Sequence, residues 1–347
     1  MRRQYTIMKL HDRKPNIENL YKVLRCEVPD RPTLFEYFMN PTLHERLAGR
    51  KAPSTDDHLE TLKFTIEAFA AAGFDYATTY ASPMEFKREK IGRKDSFSLN
   101  DGFCITDEES FEKYVWPEVE EQDFSLLEKI KDFLPEGMKL LVRGPSGVFA
   151  NTTYLVGYDN LCYMLHEEPE LVRQITDKIG ERVVKYYEAA AQYESVGLFI
   201  INDDYSFRTQ TLLSPAHLRE YIFPWHRKIA KAGHNANIPV LLHCCGYMDD
   251  VMDDIIDMGI SGKHSFEDAI IPVEDFYEKW TGDIAILGGI DIDFIMRSSH
   301  EQILERSRSM LERCATRGGY AHGTGNSVPE YVPEDKYLTL IKAALEF

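Results

Sequence analysis

Residues 238–244, IPVLLHC, are an unbroken apolar run that closes on a histidine and a cysteine. A strand with one wet face alternates apolar and polar residues. A run without alternation belongs to a strand covered on both faces, as in a parallel sheet with helices packed over it. MKLLVRG (138–144), VGLFIIN (196–202) and IAILGGI (284–290) read the same way. PTLFEYF (32–38), FDYATTY (74–80), ISGKHSF (260–266) and GYAHGTG (319–325) bring the set to eight.

Amphipathic segments lie between these runs. HLETLKFTIEAFAAAG (58–73) keeps apolar residues at three- and four-residue intervals and stops on glycine. PELVRQITDKIGERVVKYYEAAAQY (169–193) opens with proline, which suits a first helical turn. SPAHLREYIFPWHRKIAKAG (214–233) starts on Ser-Pro, and Pro224 predicts a kink inside it. Eight strands that each lead into a helix predict one α/β domain over 1–347, a (β/α)8 TIM barrel. No glycine-rich dinucleotide turn follows the first strand, which weighs against a doubly wound sheet. An N-terminal helical extension over 1–30 and an inserted helical segment in 81–135, after the second strand, are expected around the barrel.

Lys and Arg total 40 against 57 Asp and Glu, a net charge of −17, so nucleic acid is not an expected partner. The opening residues hold no apolar signal core and no run reaches the length of a membrane span, so a cytoplasmic protein is expected. Cys26, Cys104, Cys162, Cys244, Cys245 and Cys314 show no disulfide-framework spacing. In a reducing compartment cysteine serves metal binding or catalysis more than stapling.

In a barrel the chemistry sits where strands end. Reading each run to its end gives Glu36, Tyr80, Arg143 with Tyr154 beyond it, then Asn202, Asp203 and Asp204. The later ends give His243, Cys244 and Cys245, then His264, Asp291, His322 and Asn326. Residues two apart on a strand point to one side, so His243 and Cys245 can face one metal ion. The bland alternative is a packed strand end, since free cysteine is often buried. Asp249, Asp250, Asp253 and Asp254 read as a solvated helix face.

PDRPTLFEYF, RGPSGVFANTTYLVGY, LLHCCG, ILGGID and GGYAHGTGNSVPEYVPEDKY resemble the uroporphyrinogen decarboxylase superfamily over nearly the whole chain. That resemblance implies a (β/α)8 barrel and either a decarboxylase or a corrinoid-dependent methyltransferase. The decarboxylase's arginine-rich segment after the first strand is missing, and its late Gly-His-Gly reads Gly325-Asn326-Ser327. A substrate with eight carboxylates needs those cations. The methyltransferase branch places His-x-Cys zinc ligands after the fifth strand, matched here by His243 and Cys245. Its third ligand, a late cysteine, falls on Asn326; Asp203, Asp204, His264 or His322 could replace it.

The resemblance thus implies methyl transfer between a corrinoid carried by a partner protein and a thiol or tetrahydrofolate, assisted by zinc. Asp203, Asp204, Tyr154 and Asp291 are the expected catalytic groups; Glu36, Tyr80, Arg143, Asn202, His322 and Asn326 are the expected substrate contacts. A homodimer is compatible with it. The alternatives are decarboxylation of uroporphyrinogen or another carboxylated aromatic, and a non-catalytic barrel that binds corrinoid or folate.

Overall fold

The computed structural model describes residues 10–54, 57–88 and 98–347. Residues 1–9 of the expected N-terminal extension and 89–97 of the expected insertion lie outside the described residues. Seven parallel strands form one curled sheet in chain order. They are β1 (Tyr76–Tyr80), β2 (Lys139–Arg143), β3 (Val196–Asn202), β4 (Val240–His243), β5 (Gly262–His264), β6 (Ala285–Leu287) and β7 (Tyr320–Ala321). Every residue of β4, β5 and β6 is buried, the both-faces-covered state that the apolar runs predicted.

The eighth expected strand, 32–38, is reduced to isolated bridges. Leu34 bridges His322 and Met39 bridges Val328, with Phe35 N–H donating to the His322 carbonyl at 2.8 Å. On its other side a side chain replaces the ladder. The Tyr76 hydroxyl donates to the Glu36 carbonyl at 2.6 Å and accepts the Glu36 N–H at 2.8 Å. The segment therefore bridges the last strand and the first through a phenol on one seam, and no regular strand forms there.

Helices pack outside the sheet. His58–Ala72 is capped by the Asp57 carboxylate and closes on Gly73 at φ +96°. Ile17–Leu24 lies in the N-terminal region, and Glu108–Lys113 and Ser125–Lys129 follow β1. Around Pro224 the chain runs through a π turn, Leu218–Ile222, and restarts as Phe223–Asn235 with the proline in its first turn. The missing N–H is absorbed by the wider turn rather than by a simple kink. No helix among the described residues is long and apolar enough to cross a membrane.

Candidate metal centre

The register aligns the strand ends that carry polar groups. Asn202 of β3 pairs with His243 of β4, and His243 pairs with His264 of β5. Two residues past each of β3 and β4 come Asp204 and Cys245. One ligand atom from each of Asp204, His243 and Cys245 lies within 4.8 Å of the other two. His243 Nε2 stands 3.7 Å from Cys245 Sγ. A tetrahedral zinc with ordinary bond lengths would hold nitrogen and sulfur about 3.6 Å apart. The donor set therefore fits the ion by distance and by chemistry. Asp204 Oδ1 accepts the Cys245 N–H at 2.7 Å, which ties the carboxylate to the strand end it serves.

His243 is held from two sides. Its Nδ1 lies 2.8 Å from His264 Nδ1, and the Tyr37 ring stacks on it with centroids 4.8 Å apart. Burial pushes the His243 pKa down to about 4 and lowers that of His264 further below its usual range. Both rings are thus neutral at pH 7. With a lone pair on Nε2 for a metal, His243 must carry its proton on Nδ1 and donate it to His264, the second partner that metal-bound histidines require.

Cys245 receives two hydrogen bonds on sulfur. Ser265 Oγ donates at 3.4 Å and Asn326 Nδ2 at 3.4 Å. The amide is oriented by Asn326 Oδ1, which accepts the Ser327 N–H at 2.7 Å. Asn326 therefore acts as a donor to the sulfur rather than as a ligand. Burial first, and the Asp204 carboxylate second, push the Cys245 thiol up to about 11. Without a cation the sulfur stays protonated at neutral pH and is a poor nucleophile. A divalent ion reverses that balance.

Two residues that the sequence reading passed over support this wall. Ser265 sits at φ +110°, a conformation that side-chain-bearing residues rarely adopt. Lys263 is buried, and its ammonium donates to the Ser265 carbonyl and lies 4.1 Å from the Phe266 ring centroid. Burial pulls the Lys263 pKa down to about 8, against the opposing pull of Cys244, Cys245, Asp204 and Glu267. A lysine in the middle of an expected barrel strand, 260–266, was the available signal.

Several expected site residues are placed elsewhere. Asp203 is fully buried and spends its oxygens on the Phe149 and Ala150 N–H groups and on His226 Nε2, at 3.1, 2.8 and 2.8 Å. It caps the helix Val148–Val156, and a Cβ on Gly147 would stand 2.0 Å from its Cγ. Asp291 caps Ile292–Arg297 through the Phe294 N–H and accepts the Asp268 N–H. Both carboxylates are thus engaged at helix N-termini. His322 is fully buried between the Tyr320 hydroxyl and the Leu340 carbonyl and is not one of the three grouped donors. Glu36 is also fully buried, bonded to the Thr324 N–H and hydroxyl.

Tyr80, Arg143, Tyr154 and Asn202 do share a cavity of about 1300 Å³. Asp204, His243 and Cys245 are not in its lining; Tyr37, stacked on His243, and Asn202, paired with it, form the wall between.

The uroporphyrinogen decarboxylase (URO-D) family model matches residues 124–347. A methylated-thiol–coenzyme M methyltransferase of Methanosarcina mazei is 26% identical over 212 residues, 61% of this chain and 54% of its own length. The chain thus spans about half the length of that relative. A uroporphyrinogen decarboxylase of Desulfotalea psychrophila is 21% identical over 297 residues, 82% of this chain and 84% of its own. A solved methyltransferase from Methanosarcina mazei superposes with a TM-score of 0.75 at 17% identity, over 96% of this chain and 99% of that one. At that identity the likeness speaks for the barrel-like fold alone.

Proposed function

Because the chain belongs to the uroporphyrinogen decarboxylase family, we propose that it is a methyltransferase whose metal ion is held by Asp204, His243 and Cys245. The methyl group would move between a corrinoid carried by a partner protein and a thiol or tetrahydrofolate. The observation that carries the reading is the convergence of a carboxylate, an imidazole and a thiol from two neighbouring strand ends within 4.8 Å. Zinc, when bound, keeps thiols deprotonated at neutral pH and leaves a fourth position open to substrate.

The chain's own residues do the rest. Neutral His243 offers Nε2 and is oriented by His264 and Tyr37. Ser265 and Asn326 place donors on the Cys245 sulfur, which favours its charged form. Tyr154 and Asn202 line the adjoining cavity, where an acceptor would be positioned.

Metal analysis of protein purified without chelator tests the reading, with close to one zinc per chain expected and none in His243→Ala. Methyl loss from methylcobalamin in the presence of a thiol or tetrahydrofolate should depend on that zinc. Conversion of uroporphyrinogen to coproporphyrinogen by metal-free protein would establish the decarboxylase alternative. Tight cobalamin binding without turnover would establish a binding barrel.

A further inference from the structure

The loop after β7 carries Asn326, whose amide donates to the Cys245 sulfur at 3.4 Å. Main-chain bonds hold that loop as far as Gly325. The Gly289 N–H donates to the Thr324 carbonyl at 2.9 Å. The Gly325 N–H donates to the Ile290 carbonyl and the Phe266 N–H to the Gly325 carbonyl, both at 2.7 Å. At Asn326 this support ends. Among the described residues the donor facing its carbonyl is the Thr324 hydroxyl. That hydroxyl also contacts Glu36 Oε2 at 2.7 Å, while Glu36 Oε1 accepts the Thr324 N–H at 2.8 Å. Glu36 itself is clamped by the Tyr76 hydroxyl on both its N–H and its carbonyl, and the next residue, Tyr37, stacks on His243.

A hydroxyl has one hydrogen to give. When Glu36 is protonated it donates to Thr324 Oγ, and Thr324 gives its own hydrogen to the Asn326 carbonyl. When Glu36 is ionised it takes that hydrogen, and the carbonyl faces a bare lone pair. Two acceptors at contact distance repel, so the carbonyl moves off and draws the amide of the same residue from the sulfur. Burial favours the protonated form and raises the Glu36 pKa to about 8. Tyr76, Tyr320 and Tyr337 face Glu36 from β1, β7 and the helix Glu334–Leu345, and burial holds all three well above the ordinary phenol range. The carboxyl is then the member of this cluster that titrates near neutral pH.

We propose that Glu36 is a positioning residue of the metal centre, acting through the Thr324 hydroxyl to hold the Asn326 amide on the Cys245 sulfur only while its carboxyl is protonated. Its sign opposes that of the ligands. Zinc binding releases the Cys245 proton, so affinity climbs with pH. Ionisation of Glu36 works against that climb. The metal part of this inference rests on the function proposed above; the hold on the sulfur does not.

Zinc affinity by chelator competition, from about pH 6.5 to about pH 9, tests it on wild type, Glu36→Gln and Thr324→Val. The Gln amide accepts the Thr324 N–H and donates to the hydroxyl at every pH. Glu36→Gln should match wild type within about twofold at the acid end and bind zinc roughly three- to tenfold more tightly at the alkaline end. Thr324→Val should bind more weakly than Glu36→Gln by a factor that does not change with pH. Parallel profiles for wild type and Glu36→Gln, or unchanged affinity in folded Thr324→Val, would each overturn the proposal. If the protein takes up no zinc, the methyltransferase reading falls and the thiol decides the inference. In a Cys244→Ala background, iodoacetamide should alkylate Cys245 equally in both at the acid end. At the alkaline end it should react about threefold more slowly with Glu36 than with Glu36→Gln, because a lost donor leaves less thiolate. Equal rates at both ends would overturn it.

Discussion

The Ser265 hydroxyl reaches the Cys245 sulfur at 3.4 Å from a backbone held at φ +110°. Such a conformation costs on the order of 1–3 kcal/mol in a residue with a side chain. The Lys263 ammonium on the Ser265 carbonyl offsets part of that cost and fixes where the hydroxyl points. Ser265→Gly should raise stability by about 1 kcal/mol, the relieved strain less glycine's added chain entropy. It should also weaken zinc binding by roughly tenfold, because a partner of the ligand is lost. Lys263→Met should leave melting nearly unchanged and weaken zinc binding similarly. Thermal melts and competition against a chromophoric chelator read both quantities.

Cys245→Ser and His243→Ala should each abolish stoichiometric zinc, and Asp204→Asn should weaken it by roughly 10–100-fold. Cys244 is fully buried on the opposite side of the strand end. Cys244→Ala should keep full zinc content and lose about 1 kcal/mol of stability from the small cavity created. Metal content by atomic emission separates the two neighbours.

Asp203 behaves as architecture. Its carboxylate and His226 are both fully buried and 2.8 Å apart. Asp203→Ala would strand the imidazole and the two helix N–H groups, a loss of roughly 3–5 kcal/mol. Urea unfolding should show that loss, while the folded fraction keeps its zinc affinity.

Glu36 sets a pH dependence. The Thr324 hydroxyl has one hydrogen and contacts both Glu36 Oε2 and the Asn326 carbonyl. A carbonyl only accepts, so both contacts are met when Glu36 carries the proton and Thr324 donates to Asn326. Burial agrees, raising the Glu36 pKa to about 8 against the opposing Thr324 bonds. Below about pH 4.3 the carboxyl is protonated folded or unfolded. As pH rises to about 8, only the unfolded chain releases its proton. Stability should therefore fall across that window, by up to about 1.4 kcal/mol per pH unit, and level off above it. Glu36→Gln should flatten this slope in urea titrations at several pH values.

The buried strands were legible because an unbroken apolar run has few other homes. Segment 32–38 was not, since its inner seam depends on where the Tyr76 hydroxyl goes, a tertiary fact with no local signature. His243 and Cys245 followed from alternation along a strand end. Asp203 and Asp204 are adjacent, so proximity to the site could not rank them; one turned to a helix terminus and the other to the donors. Ser265 escaped because nothing in a serine announces a positive φ. Tyr37 escaped because its stacking partner, His243, is more than two hundred residues away in the chain.

Only one of the three donors is a sulfur. A centre with two thiolates can be emptied by an oxidant that joins them as a disulfide. Here the adjacent sulfur, Cys244, is fully buried, so Cys245 has no accessible resolving thiol beside it. Peroxide would take it to a sulfenic acid, and recovery would rely on a small thiol from solution. The reducing power of the surroundings would then decide how long a metal held by these three donors survives.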